Sequence, residues 1–390
     1  MSTQRKLPPG AREVVLPNGQ KRIEMVIDLG PDPATGRRRQ SRRRFRTATE
    51  ARDAYAEIRS TVRAGTHVRR SRETLAQAAA AWLAGKRNLK ASTRAGYEHA
   101  LEPVLAAYGA MPVQRLTKRH IDDLVTALAE GMPLPDGRRR RPWTGRTVSL
   151  LLFVLGKVLD DLMRQGQLVR NVATLVERPR HRPAERDTWT VEEVRAFLAV
   201  AKADRLHVAW LLALYGLRRG EIAGLRWADV DLNGTTGTLK VVATRLAING
   251  RVITDDPKSE HGRRTLPLTA ALAEAFRERH RAQAAERIAV GPAYAESGLI
   301  VVDEAGNPLR PERLTDRFGG LARQAGVRQI RLHDARHTCG TLMHLAGEPA
   351  AAISAWLGHS SPAFTMRTYV HSQTGALNNA AATLDRVFEQ

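Results

Sequence analysis

The sequence predicts a mostly α protein with small β: an N-terminal three-stranded sheet plus one helix, then a helical bundle, then a larger mixed α/β domain. Three observations carry that prediction. A chain of 390 residues allows two to three domains at ~150 residues each. Apolar residues make up 43% of it, and over 73–177 they recur at spacings of three and four, the period of helices that bury one side. Asn18-Gly19 and Asn249-Gly250 mark hairpin turns.

The elements follow in order. Arg12–Leu16 and Lys21–Leu29 read as strands around Asn18-Gly19, with Ile23, Met25, Ile27 and Leu29 alternating onto one packed face. A turn near Pro33–Gly36 leads to a basic strand, Arg37–Arg46, and Thr47 with Glu50 opens a helix as a capping box. These make a domain over 1–72. Residues 73–177 predict a four-helix bundle. Its helices start at the Thr74/Gln77 box, after Ser92, at Thr117 and at about Gly145. The loop Pro133–Pro142 holds Arg138 to Arg141, which reads as a DNA contact or flexible loop rather than core. Two prolines and four arginines in 178–186 prevent regular structure and suit an extended strap along phosphates. The third domain, 187–390, opens with a helix capped by Thr190 and Glu193. An apolar helix at His207–Tyr215 follows, then strands at Leu239–Leu246, Arg251–Ile253 and Arg264–Leu268 in one small inserted sheet, then more helices.

Charge identifies the partner class. Lys plus Arg number 62 against 40 Asp plus Glu, a net of +22, and Arg supplies 53 of the 62. Guanidinium forks bind phosphate oxygens in pairs, so the excess points to a polyanion. Residues 1–72 alone carry 18 basic and 7 acidic side chains. The single cysteine, Cys339, excludes a disulfide framework and a cysteine metal site within one chain. Met1–Gly10 lacks an apolar signal core, and no run approaches the ~18 apolar residues of a membrane span. A soluble, cytoplasmic binder of nucleic acid is expected, nucleoid-associated when bound, with no membrane partner.

The third domain carries an ordered polar set. Arg218 lies in Gly216-Leu-Arg-Arg-Gly-Glu221, and Lys258 in the turn of a basic hairpin over 257–267. His333 and Arg336 lie in Leu332-His-Asp-Ala-Arg-His-Thr338, His359 in Leu357-Gly-His-Ser-Ser361, and Tyr369 after Thr368. His333 and Arg336 share a helix face at i and i+3. Each residue alone has an ordinary structural explanation. Together they form a kit for attack on a phosphodiester. Guanidiniums and a histidine can clamp charge developing on the non-bridging oxygens. A tyrosine oxygen can attack and store the bond. A lysine, unlike an arginine, can give a proton to the leaving hydroxyl. A zinc site on His333 and His337 fits poorly, because Asp334 stands where the usual motif has Glu and no third ligand is obvious. A non-catalytic sequence-specific DNA-binding protein would share the basic charge and the helices, but has no use for the ordered kit. A type IB topoisomerase-like nicking-resealing enzyme would use similar chemistry without synapsis.

These motifs resemble the tyrosine recombinase family, the phage integrases and their relatives. The resemblance is close over about 185–375. It is looser over 1–72, which is similar to arm-type DNA-binding domains, and over 73–177, which is similar to helical core-binding domains. It implies a mixed α/β tyrosine-recombinase catalytic domain that cuts and rejoins DNA through a 3′-phosphotyrosyl link. In that scheme Arg218 and Arg336 hold the scissile phosphate and Lys258 is the general acid. His333 assists as acid/base, His359 bonds a non-bridging oxygen, Tyr369 is the nucleophile and Glu221 supports Arg218. Gly262 departs from the small hydroxyl residue often found in the family's hairpin. No cofactor and no metal are implied. The partners implied are double-stranded DNA attachment sites, a homotetramer on DNA, a directionality factor and a host DNA-bending protein, for integrating or excising a phage or other mobile element. The apolar stripe Leu377, Ala380, Ala381, Leu384, Val387 and Phe388 fits docking on a neighbouring subunit.

Overall fold

The structure, a computed structural model, describes residues 7–31, 37–63, 68, 71–132, 139–180, 187–233, 237–256 and 262–359. The chain forms two compact units, Met1–Arg182 and Pro183–Gln390.

The first unit opens with strands β1 (Ala11–Val15), β2 (Lys21–Pro31) and β3 (Arg38–Phe45) in an antiparallel sheet of that order. The expected turn near Pro33–Gly36 lies outside the described residues. Helix α1 (Ala48–Arg63) covers one sheet face, where Met25, Ile27 and Ile58 are buried. Thr47 caps it by accepting from the Glu50 N–H at 3.2 Å, but the Glu50 carboxylate reaches back to the N–H of Arg46, one residue beyond the usual box. On β2, Glu24 is flanked by Arg12 and Arg44 at 2.9 and 3.0 Å, which hold its carboxyl below the usual carboxylate range.

Four helices then share a second core: α2 (Leu75–Gly85), α3 (Ala91–Tyr108), α4 (Lys118–Glu130) and α5 (Gly145–Arg164). Thr74 and Gln77 form the predicted box at α2. Thr117 caps α4 with His120 as the reciprocal partner. Helix α3 starts at Ala91 behind Lys90, so Ser92 lies inside it rather than preceding it. Of the loop arginines, Arg139 donates to the Gly131 carbonyl and Arg140 to Glu102 at 2.6 Å, so both are tied to their own bundle; Arg138 lies outside the described residues.

The second unit has α6 (Val191–Ala201), capped by Thr190 and Glu193 as predicted, then α7 (His207–Leu214) and the short α8 (Arg219–Gly224). The expected single strand 239–246 is two strands in two sheets. Strands β4 (Val230–Asp231), β5 (Thr238–Val241) and β8 (Arg264–Pro267) form one sheet. Strands β6 (Thr244–Ile248) and β7 (Arg251–Asp255) form a separate hairpin around Asn249-Gly250. Packing explains the break. A Cβ on Gly220 would meet Thr244 Oγ1 at 2.3 Å and the Arg245 carbonyl at 2.7 Å. Helix α8 therefore sits directly on the β6 backbone, which departs from the first sheet. Among the described residues, β7 before Lys258 pairs with β6 and β8 after it pairs with β5, rather than with each other as a basic hairpin would require; the expected turn at Lys258 lies outside the described residues.

Helices α9 (Ala270–Val290), α10 (Pro311–Gln324), α11 (Leu332–Leu345) and α12 (Ala350–Leu357) complete the described residues. Trp189, Phe197 and Phe318 are in mutual ring contact in the core, and Trp210 meets Phe318. Each such buried side chain is worth roughly 1.5–3 kcal/mol in burial. The Trp189 backbone N–H donates to Thr338 Oγ1 at 3.1 Å, which pins the start of the unit to α11.

Candidate active site

Two helix ends build the site. Helix α7 ends at a glycine with φ +94°, Gly216. Its N–H donates to the Ala213 carbonyl at 3.2 Å, and that of Leu217 to Leu212 at 3.0 Å. Helix α12 ends the same way at Gly358, φ 61° and ψ 50°. There the Gly358 N–H donates to Ala355 at 3.1 Å and that of His359 to Ser354 at 3.0 Å. Both are the paired bonds of a Schellman motif, which turns the chain sharply and closes two of the four orphan carbonyls at a helix end. The local signals are the glycines of Gly216-Leu-Arg and Leu357-Gly-His. Each delivers its polar residue just past a helix terminus.

The remaining carbonyls of α12 go to arginines. Trp356 accepts from Arg264 Nε at 2.7 Å, Leu357 from Arg336 Nη2, and Gly358 from Arg218 Nη2 at 3.0 Å. Three consecutive carbonyls thus hold three guanidiniums from three elements, at the end of the helix where its dipole favours cations. Arg336 also donates to the Gly216 carbonyl at 2.6 Å, so one side chain joins both Schellman turns. It is 1% exposed.

Glu221 organises the next layer. Arg218 takes an extended backbone ahead of α8, which lets Glu221 cap the helix by accepting the Arg218 N–H at 2.9 Å. The same carboxylate accepts from Arg218 Nη1 at 2.7 Å and Arg264 Nη2 at 3.0 Å. Burial alone pushes its pKa up, but the charges and hydrogen bonds of Arg264 and Arg218 outweigh that and hold it below the ordinary value. Arg218 is 39% exposed against 3% for Glu221 and 6% for Arg264. Arg218 is therefore the one of the three that can meet an anion from solvent.

Helix α11 supplies the histidines' face. Asp334 caps it by accepting the Arg331 N–H at 3.2 Å. His333 is exposed in its first turn, and its ring meets that of buried His337 edge-on, centroids 5.1 Å apart. Cys339, two residues past His337, packs against Ile353 and Leu357; burial pushes its thiol up to about 12, so it stays protonated and serves as packing.

The structure thus brings together Arg218, Glu221, Arg336 and His359 around the α12 terminus, with His333 on the helix that carries Arg336. Lys258 and Tyr369 lie outside the described residues, as does the C-terminal stripe. Sequence reasoning missed Arg264 and Trp356. Trp356 Nε1 donates to the Tyr215 carbonyl at 2.9 Å, and its ring packs on Tyr215 at 4.8 Å. The signal for Arg264 was present, an arginine at a strand start beside a carboxylate-bearing motif, but nothing in the sequence shows that the two meet. Among the described residues no three His, Cys, Asp or Glu side chains cluster as a metal site would need, and no helix is long and apolar enough to cross a membrane.

Residues 188–375 match the phage integrase family. The chain is 27% identical over 262 residues to a XerC-like tyrosine recombinase of Caldanaerobacter subterraneus, covering 63% of this chain and 67% of that protein. It is 25% identical to an integrase of Streptomyces ambofaciens over 94% of this chain and 93% of the relative. Among solved structures, the Tn1549 transposon integrase in complex with a circular intermediate DNA aligns at TM-score 0.62. That match covers 81% of this chain and 99% of the other at 19% identity. A lambda integrase tetramer bound to a Holliday junction aligns at TM-score 0.55 and 14% identity, covering 94% of this chain and 96% of that one. The fold, the motifs at its two Schellman turns and the relatives agree on this part of the chain: residues 188–375 form a phage integrase family domain.

Proposed function

We propose that this site-specific recombinase holds the scissile phosphate of a DNA attachment site with Arg218 and Arg336, and that Tyr369 attacks it. The Tyr369 oxygen forms a bond to phosphorus as the bond to the 5′-oxygen breaks. Lys258 gives that oxygen its proton, and a 3′-phosphotyrosyl link remains. His359 donates to a non-bridging oxygen, and His333 takes and returns protons near the nucleophile. Because the link conserves the bond, a second 5′-hydroxyl can reverse the step on another strand. The observation that carries this reading is the gathering of Arg218, Arg336 and His359 at one helix end, with Glu221 neutralised between two arginines. Arg336 lies inside the protein, so binding of DNA must uncover it.

The remaining roles follow the division of the chain. Residues 1–72 would bind arm-type sites through the basic sheet. Residues 73–177 and 187–390 would grip the core site, joined by the strap 178–186. Assembly as a tetramer on two duplexes is supported by the lambda integrase tetramer on a Holliday junction. Integration and excision of a mobile element in a bacterial cytoplasm would engage a directionality factor and a DNA-bending protein.

Covalent trapping tests the chemistry. The protein is incubated with nicked duplexes tiled from DNA flanking its own gene and run on a denaturing gel. A slow band lost in Tyr369→Phe is expected. A band that survives that substitution refutes the nucleophile.

A further inference from the structure

Arg264 is buried at the middle of the network, yet the reaction scheme gives it no task. Its guanidinium makes four contacts: both Glu221 oxygens at 3.0 and 3.3 Å, the Trp356 carbonyl at 2.7 Å and the Gly262 carbonyl at 3.2 Å. All three of its nitrogens are engaged inside the protein, and at 6% exposure against 39% for Arg218 it is not the guanidinium of this trio that faces solvent. We propose that Arg264 is a positioning residue for Arg218: by neutralising Glu221 and gripping the α12 terminus, it keeps the Arg218 charge directed at the phosphate. The inference rests on the assignment of Arg218 to that phosphate.

Charge and linkage both support this role. Arg218, Arg264 and Glu221 together carry one net positive charge. Without Arg264 the buried carboxylate has Arg218 as its remaining ion-pair partner among the described residues, and the trio becomes neutral. Arg218 is then drawn onto Glu221, away from the exposed edge it presents. Water cannot replace the lost cation, because the carboxylate is 3% exposed and a buried charge binds tightly to whatever partner is left. Linkage adds to this. Arg264 opens β8 six residues after Lys258, and the carbonyl it holds lies three residues before His359. One side chain therefore ties the strand following the expected general acid to the turn that carries a phosphate ligand. A lysine could supply the charge, but it lacks the planar fork needed to serve carboxylate and carbonyl together.

The test uses the full chain and the nicked tile that traps the wild type. The rate of covalent-complex formation at saturating protein, below the melting temperature, is compared with affinity for the same duplex in a gel shift. Arg264→Gln is expected to slow trapping about ten-fold or more, with affinity held within about two-fold. Glu221→Gln slows the wild type but accelerates the Arg264→Gln protein, because a neutral partner no longer captures Arg218. Arg264→Lys falls between. A trapping rate for Arg264→Gln equal to wild type, or a double variant no faster than Arg264→Gln, overturns the inference while leaving the recombinase reading intact. If Arg264→Gln does not fold, Arg264→Lys at the wild-type rate overturns it instead. A wild type that traps no tile overturns the role of Arg218 and this inference with it.

Discussion

Gly216 is where the site and the fold make the same demand, and Gly216→Ala measures it. Two costs are predicted. The residue sits at φ +94°, where a side chain is strained; left-handed backbone costs an L-residue about 1–2 kcal/mol. The new Cβ would also lie 2.6 Å from Leu357 Cδ2 and 3.3 Å from Cys339 Sγ, and overpacking of that kind costs typically about 1–3 kcal/mol. Together they remove about 2–5 kcal/mol. For a unit of this size that lowers the melting temperature by about 4–20 °C. Gly250→Ala is the control. Gly250 has φ +79° in the same unit but open space around its Cβ position, so it bears the backbone cost alone. Urea unfolding of both variants gives the difference, and the excess in Gly216→Ala is the clash between the α7 turn and α12. Covalent trapping should fall as well, because the Gly216 carbonyl holds Arg336 at 2.6 Å. Equal losses for the two variants would refute the claim that the helix ends are locked against each other.

Three further outcomes are expected. His333→Ala should lower the trapping rate less than Arg218→Ala, since His333 sits exposed in the first turn of α11 whereas Arg218 is built into the network; the reverse order in single-turnover assays refutes the assigned roles. Glu221, with a folded pKa below its ordinary 4.5, contributes stability that is present above that value and is lost as pH falls through the folded pKa. Acid titration of unfolding should therefore show a steeper loss below the ordinary value in wild type than in Glu221→Gln. Deleting residues 1–72 should weaken binding to arm-type DNA more than to core DNA in gel shifts, and equal loss on both defeats the arm assignment.

Local chemistry was legible residue by residue. Capping boxes at Thr74 and Thr190, the helix start at Thr117, the three-stranded N-terminal sheet and the two Asn-Gly turns all follow from side chains within a few positions of one another. The roles expected of Arg218, Arg336 and His359 came from motif order, which survives without any knowledge of distance. Where the reading failed, contacts between distant segments decided. Residues 239–246 have the composition of one strand, yet α8 resting on Thr244 and Arg245 sends the chain into a second sheet. By itself the sequence determined which residues cap and turn, and supplied an ordered set of side chains suited to phosphate chemistry, because hydrogen-bonding capacity and backbone preference belong to the residue and its neighbours. Only the tertiary structure decided that three arginines from separate elements share three consecutive carbonyls, and that Arg264 faces Glu221 across 43 residues. A buried charge must find its partner in space, and no local rule names which distant segment will bring it.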